Sequence, residues 1–314
     1  MKNFWKKPVV KFIGAVLIII LLVYVLKPFI KNWDDTVKLL KTFKPLSLLA
    51  GIVILSLTVS VYPLIWRSIL GKFGTKIGVR QAYKSWIYSN VGKYIPGKVW
   101  QFAGRIMLTK EAYGEVIVVT MLLETVISGV ASIIVFLWGT LVGGIFTAVW
   151  VKYLSIALPI LIVLLHPFFL KQILKILSKI RKVELHENFT MRYRDILLYL
   201  VIYILLWIAT GFAFWLMFAG SAIKINLIDL ASSYALSWVL GYASLFAPGG
   251  LGVREGAIAF LLNLKYPPVV SSTFAMLTRI SFIITDFLLF GVFYLYFKIT
   301  EIGKRKNEDI GDNA

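Results

Sequence analysis

Seven ionisable residues interrupt stretches of this chain that are otherwise apolar, and its chemistry has to start from them. Glu124 sits in the middle of TMLLETVISG, and Arg254-Glu255 open the apolar run that follows Pro248-Gly249. Lys98 and Arg105 flank Pro96-Gly97, while Arg279 and Asp286 are seven residues apart and so share one helix face. An ionisable group at mid-membrane costs ~2.5–3.5 kcal/mol on insertion scales, so each should face a partner or water inside the protein. One reading is ion pairing that only holds helices together, for instance Arg254 with Glu124. The other is a polar cavity lined by Lys98, Gln101, Arg105, Glu124, Arg254, Glu255 and Arg279. In that cavity the backbone amides of Gly249, Gly250 and Gly252, at a helix N-terminus, would complete a site for an anion. Guanidinium groups and helix-terminal amides suit the geometry of a phosphate.

Other chemistries find little support. The chain has no cysteine, which excludes disulfides and thiolate metal sites, and its two histidines, His166 and His186, lack metal-ligand spacing. Glu124 and Glu255 are the only plausible catalytic carboxylates, and neither has a histidine nearby in sequence. No catalytic residue, metal or cofactor is therefore expected. The formal charge of +19 raises nucleic acid as a partner, but in a membrane protein basic residues first report topology.

The elements that must position these residues are long apolar blocks. Hydrophobic residues make up 59% of the 314, with a mean hydropathy of +0.84. Residues 9–26, 46–65, 116–137, 153–165, 196–218 and 269–297 are each mostly apolar. All but the fourth approach or exceed the ~20 residues of a spanning helix, and the fourth reaches that length if its flanks are included. The first is too long for a signal peptide and is followed by Lys27-Pro28-Phe29, so a retained helix is expected. With the N-terminus cytoplasmic, inner segments 1–11, 71–113, 171–194 and 298–314 carry 4, 8, 7 and 4 Lys/Arg, 23 in all, against seven outside. The asymmetry puts both termini in the cytoplasm of a multi-pass cell-membrane protein. In this frame Lys171–Lys182 is a basic amphipathic segment suited to the anionic inner leaflet or to fixing topology. Trp66, Trp86, Trp100 and Trp238 are expected as interfacial anchors.

Two stretches do not fit simple spans. Residues 85–105 and 234–262 are apolar or aromatic on both sides of Pro96-Gly97 and Pro248-Gly249, where the helices should break. Broken backbone at membrane depth is tolerated only within protein or beside a wet cavity, so both stretches read as re-entrant hairpins. Two spans precede and one follows each break, and the breaks are 152 residues apart. The expected fold is all-α and polytopic, with six spans and two re-entrant hairpins in an inverted repeat of halves 1–145 and 146–306. Residues 1–306 form one transmembrane domain and 307–314 a polar tail. In the repeat register Glu124 follows its proline by 28 residues and Arg279 follows its own by 31. The alternative lets 228–247 and 251–264 both cross, giving eight spans.

The segments YIPGKVWQFAGR (Tyr94–Arg105) and APGGLGVREGAI (Ala247–Ile258) resemble the two signature segments of the lysylphosphatidylglycerol synthase transmembrane-region family. LLET (Leu122–Thr125) is similar to the glutamate-bearing helix between them, although the family's glutamate is often followed by Arg and here by Thr125. The resemblance covers almost the whole chain. It implies a membrane domain related to the flippase half of the lysylphosphatidylglycerol synthase, to stand-alone proteins, or to membrane portions attached to glycosyltransferases. The soluble aminoacyl-transferring domain is expected to be missing. The expected function is translocation of lipids with anionic headgroups, of phospholipid or polyprenyl-phosphate type. The alternative is a membrane enzyme, or an accessory subunit of a glycosyltransferase, acting on lipid-linked sugars. The implied partners are membrane lipids and a membrane glycosyltransferase or lipid-modifying enzyme. The orientation is open to cysteine labelling because the chain has no native cysteine. A Lys38→Cys variant should react with an impermeant maleimide in intact cells; reaction only after permeabilisation overturns the orientation.

Overall fold

The computed structural model describes residues 33–94, 99–142, 191–244 and 247–311, with a few single positions between 163 and 172. Every regular element among the described residues is helical. In chain order these are α1 (Trp33–Thr42), α2 (Pro45–Lys72), α3 (Val79–Asn90), α4 (Trp100–Leu108), α5 (Gly114–Leu141), α6 (Tyr193–Ala219), α7 (Leu227–Ala243), α8 (Val253–Asn263) and α9 (Pro268–Gly311). Single 3-10 turns follow α3 at Val91–Tyr94 and precede α8 at Pro248–Gly250. Four helices are long and apolar enough to span a bilayer: α2, α5, α6 and the Pro268–Thr300 part of α9. They enclose and overrun the expected blocks 46–65, 116–137, 196–218 and 269–297. The blocks 9–26 and 153–165, the basic segment 171–182, and Pro96, Gly97 and Lys98 lie outside the described residues, single positions apart.

The ends of these helices follow local chemistry. Pro45 opens α2, where its missing N–H would in any case have no partner. At the start of α6, Asp195 accepts from the Arg192 amide at 2.9 Å and pairs with Lys72 at 3.0 Å, tying α6 to the end of α2. Pro63 lies inside α2 and leaves a carbonyl of the preceding turn without its helical donor. One turn before it, the Tyr83 hydroxyl donates to the Ser60 carbonyl at 2.8 Å. The carbonyl that Pro63 orphans is that of Val59, one residue earlier, so this bond ties α3 to α2 beside the irregular turn rather than replacing the lost donor.

The short helices form two antiparallel pairs. In the first, Ser85 donates to the Leu108 carbonyl and Arg105 to Ser89, so α4 runs back along α3. In the second, Arg254 lies against Gly241 and Lys265 pairs with Asp229 at the far end, so α8 runs back along α7. Except for α7, these helices have 9 to 12 residues and are about 14–18 Å long, short of the ~30 Å hydrocarbon core.

The long helices pack through small residues, which membranes favour because lipid removes much of the hydrophobic drive between helices. A Cβ on Gly51 of α2 would stand 2.4 Å from Met217 of α6, one on Gly211 of α6 2.4 Å from Ala231 of α7, and one on Gly139 of α5 2.7 Å from Ser232 of α7. At the centre Phe214, Phe218, Phe274 and Tyr234 interlock edge to face, with centroid distances of 4.9 to 5.6 Å. Trp66 and Trp86 are buried in a second cluster with Leu70, Ile117 and Leu289, which corrects the expectation that they anchor at the interface. Trp100 is half exposed. Gly211→Ala should lower the melting temperature of the purified protein, because overpacking against Ala231 costs about 1–3 kcal/mol. Gly71→Ala, whose Cβ meets nothing within 4 Å, should leave it unchanged or raise it.

Candidate functional site

Between the two helix pairs and the long helices lies a cavity of about 470 Å³, within the size range of small-molecule sites. Both short-helix pairs border it, since Asn90, Lys93 and Tyr94 line it from the first pair and Gly249, Gly250 and Arg254 from the second. The turn that follows α3 also meets the glycine turn before α8. The Lys93 carbonyl lies 3.3 Å from where a Cβ on Gly249 would stand. Gly249 and Gly250 adopt φ of +57° and +70°, a left-handed backbone that a side chain would strain, and this allows the chain to reverse into α8.

Three ion pairs are built into the walls. Arg105 of α4 reaches Glu124 of α5 at 3.0 Å, and its guanidinium lies 4.8 Å from the ring of Trp66 and 5.3 Å from that of Trp86. Trp86 donates to the other carboxylate oxygen of Glu124 at 3.1 Å. Arg279 of α9 faces Glu255 of α8 at 3.6 Å and donates to the Gly249 carbonyl at 3.1 Å. Lys93 pairs with Asp286 of α9 at 2.6 Å, where Asn90 donates to the same carboxylate at 2.8 Å and the Tyr94 hydroxyl also donates. These contacts cover both oxygens of Asp286, whose side chain is 1% exposed.

Arg254 differs from the other cations. It donates to the Tyr234 hydroxyl at 2.7 Å and lies over that ring at 5.4 Å, but no described carboxylate stands within 4.0 Å of it. Its stem runs through a slot floored by glycine. A Cβ on Gly241 would be 2.1 Å from the Arg254 Cγ, and one on Gly250 2.8 Å from its Cδ. Any side chain at Gly241 would therefore displace the guanidinium.

The structure brings Gln101, Arg105, Glu124, Gly249, Gly250, Arg254, Glu255 and Arg279 around one cavity, and the sequence-based set is thereby largely assembled in space. Two details correct expectation. Glu124 pairs with Arg105 rather than Arg254. The amides of the glycine turn are mostly engaged by the protein: Gly252 donates to Glu255 at 2.7 Å and Gly250 to the Ala247 carbonyl at 3.1 Å. The open positive group is thus the Arg254 side chain rather than the helix end. Sequence reasoning did not single out Asn90, Lys93, Tyr94, Tyr234 or Gly241. The first three stand within six residues of Pro96, which was a usable signal. Tyr234 and Gly241 carry no local signal, because their role exists only where α7 meets α8.

The architecture is that of a multi-pass helical membrane protein with an internal charged cavity bounded by two broken helix pairs. Compared with known families, the chain matches the lysylphosphatidylglycerol synthase TM region over residues 12–289, and it belongs to that family. Among curated proteins no match is found. Glu124→Ala should destabilise the protein by ~3–5 kcal/mol, because it strands the buried Arg105 without its counter-charge. Replacing both, as Arg105→Met/Glu124→Leu, should recover most of the loss in a thermal melt. A double variant no more stable than the single one overturns the pairing as the cause.

Proposed function

We propose that this protein is a translocator of lipids with anionic headgroups in the cell membrane, with both termini cytoplasmic. The observation that carries the proposal is Arg254, a cation without a described carboxylate partner in a cavity whose other described cations are all paired. An unmatched positive charge inside a low-dielectric wall favours a ligand with negative charge. Membership of a family named for a membrane lipid enzyme supports a lipid as that ligand. The cavity also reaches the outer surface of the bundle. Two of its lining residues, Leu122 of α5 and Tyr242 of α7, are 39% and 43% exposed. A headgroup entering there could sit in the cavity while its acyl chains stay in the bilayer.

In this proposal the α3–α4 and α7–α8 pairs are re-entrant hairpins, entering from opposite faces as the corresponding parts of an inverted repeat. The ion pairs support that correspondence. In each half the second short helix is joined to the following span, by Arg105–Glu124 in one and Glu255–Arg279 in the other, with the signs exchanged. Inverted repeats place substrate sites at the interface between halves, and the cavity draws its lining from both.

The test is to reconstitute Arg254→Ala in liposomes and to measure its stability and lipid movement together. The variant should melt near the wild-type temperature, since no described ion pair is lost, while movement of an acyl-labelled anionic phospholipid falls at least tenfold. Arg254→Lys should restore it only in part, since an ammonium lacks the bidentate guanidinium geometry. Unchanged lipid movement in a stable Arg254→Ala overturns the proposal.

A further inference from the structure

We infer that the cavity is matched to a lipid phosphodiester carrying one negative charge and no headgroup amine. This rests on the translocator reading above and narrows its substrate. The described residues lining the cavity include four cations, Lys93, Arg105, Arg254 and Arg279, and three carboxylates, Glu124, Glu255 and Asp286. Each carboxylate is held by one cation, at 3.0, 3.6 and 2.6 Å. Among the described residues the surplus is a single positive charge, and it resides on Arg254.

That surplus discriminates between headgroups. A phosphodiester has one ionised oxygen and balances the charge of the described lining. A phosphomonoester carries about −1.5 to −2 at pH 7, so its second charge would have no counter-charge. Diphosphates carry more charge and fit less well still. A zwitterionic headgroup, such as that of an ethanolamine phospholipid, contributes no net charge and leaves Arg254 uncompensated. A lysyl ester of phosphatidylglycerol, with two ammonium groups, makes the total more positive. Its amines would need a free carboxylate, yet all three are engaged. Asp286 is enclosed by Lys93, Asn90 and Tyr94, and Glu124 by Arg105 and Trp86. The cavity of this chain is therefore poorly built for the cationic lipid in its family's name. Gln101, Thr125 and Ser128 add neutral polar side chains to the lining, which suit the hydroxyls of a polyol.

Two sources could provide this chemistry: a glycerophospholipid with a polyol head, and a polyprenyl-phosphate sugar. Both are phosphodiesters with neutral, hydroxyl-rich heads. The experiment uses the full chain in liposomes of phosphatidylcholine with trace acyl-labelled probes. Outer-leaflet quenching reports movement of phosphatidylglycerol, phosphatidic acid, phosphatidylethanolamine and lysylphosphatidylglycerol. A polyprenyl phosphoglucose is assayed alongside by enzymatic access to its sugar. Movement of phosphatidylglycerol at least tenfold faster than the other three phospholipids supports the inference and identifies a glycerophospholipid. Movement of the polyprenyl phosphosugar alone supports it and identifies the second source. Comparable or faster movement of lysylphosphatidylglycerol or phosphatidylethanolamine overturns the charge match but leaves translocation standing. If no probe moves and none binds in a pull-down from the same vesicles, translocation fails and the inference fails with it. A gain-of-function variant checks the mechanism independently. Gln101→Glu adds a fourth carboxylate and cancels the surplus, so the preference for phosphatidylglycerol over phosphatidylethanolamine should drop at least fivefold. An unchanged preference in a stably folded Gln101→Glu overturns the role of cavity charge.

Discussion

An ionised side chain withdrawn into a helical bundle keeps its charge only where another charge or a set of dipoles replaces water. Most of this structure can be understood as meeting that requirement. Arg105 is 1% exposed, and it stays charged between two tryptophan rings and a carboxylate. Asp286 is held by an ammonium, an amide and a phenol. These contacts are long in sequence but short in space: Lys93 and Asp286 are joined across most of the chain, and with them the first short-helix pair is fixed to the last span. Replacing such pairs by apolar residues of similar volume is often neutral for stability. The pairs are therefore better understood as specifying which helices meet, and where a polar space is left between them, than as adding net stability.

Close packing supplies the complement. Glycines at positions 51, 139 and 211 bring α2, α5, α6 and α7 close together at the aromatic centre. Glycines at 241 and 250 do the same for a side chain, giving the Arg254 stem a slot rather than a free arc. The same residue type thus has two uses. In the walls it lets helices approach, and in the cavity it orients a charge. A cation held in this way, with a tyrosine hydroxyl as its fixed partner, loses less conformational entropy on meeting a ligand than an unconstrained arginine would.

The sign exchange between Arg105–Glu124 and Glu255–Arg279 bears on the proposed repeat. A pair retains its attraction when its charges are swapped, so related halves can diverge in sequence while the joint between hairpin and span persists. Under that proposal, the halves could lose direct identity and still keep a proline-glycine break followed by two charged positions. Asp286 does not follow the exchange, having no ionisable counterpart near the matching distance from Pro96.

Apolar block length and composition alone determined the membrane class and four of the spans, because transfer of a twenty-residue apolar helix depends on composition far more than on its neighbours. Pro248-Gly249 marked the break before α8, since left-handed backbone at glycine is a local property. The ionisable residues of the site were also visible, as charges standing out against apolar runs. Pairing was not visible. Glu124 had several cations within plausible reach, and the choice of Arg105 depends on how α4 packs on α3 and against α5. The state of the glycine-turn amides was likewise undecidable, because Glu255 and the Ala247 carbonyl accept from them only in the folded turn. Trp66 and Trp86 looked like interfacial anchors because composition describes a residue's preference, whereas its burial depends on which helix covers it. Among the described residues the unmatched charge on Arg254 is what three pairings leave of four cations, and only the tertiary structure makes the pairs.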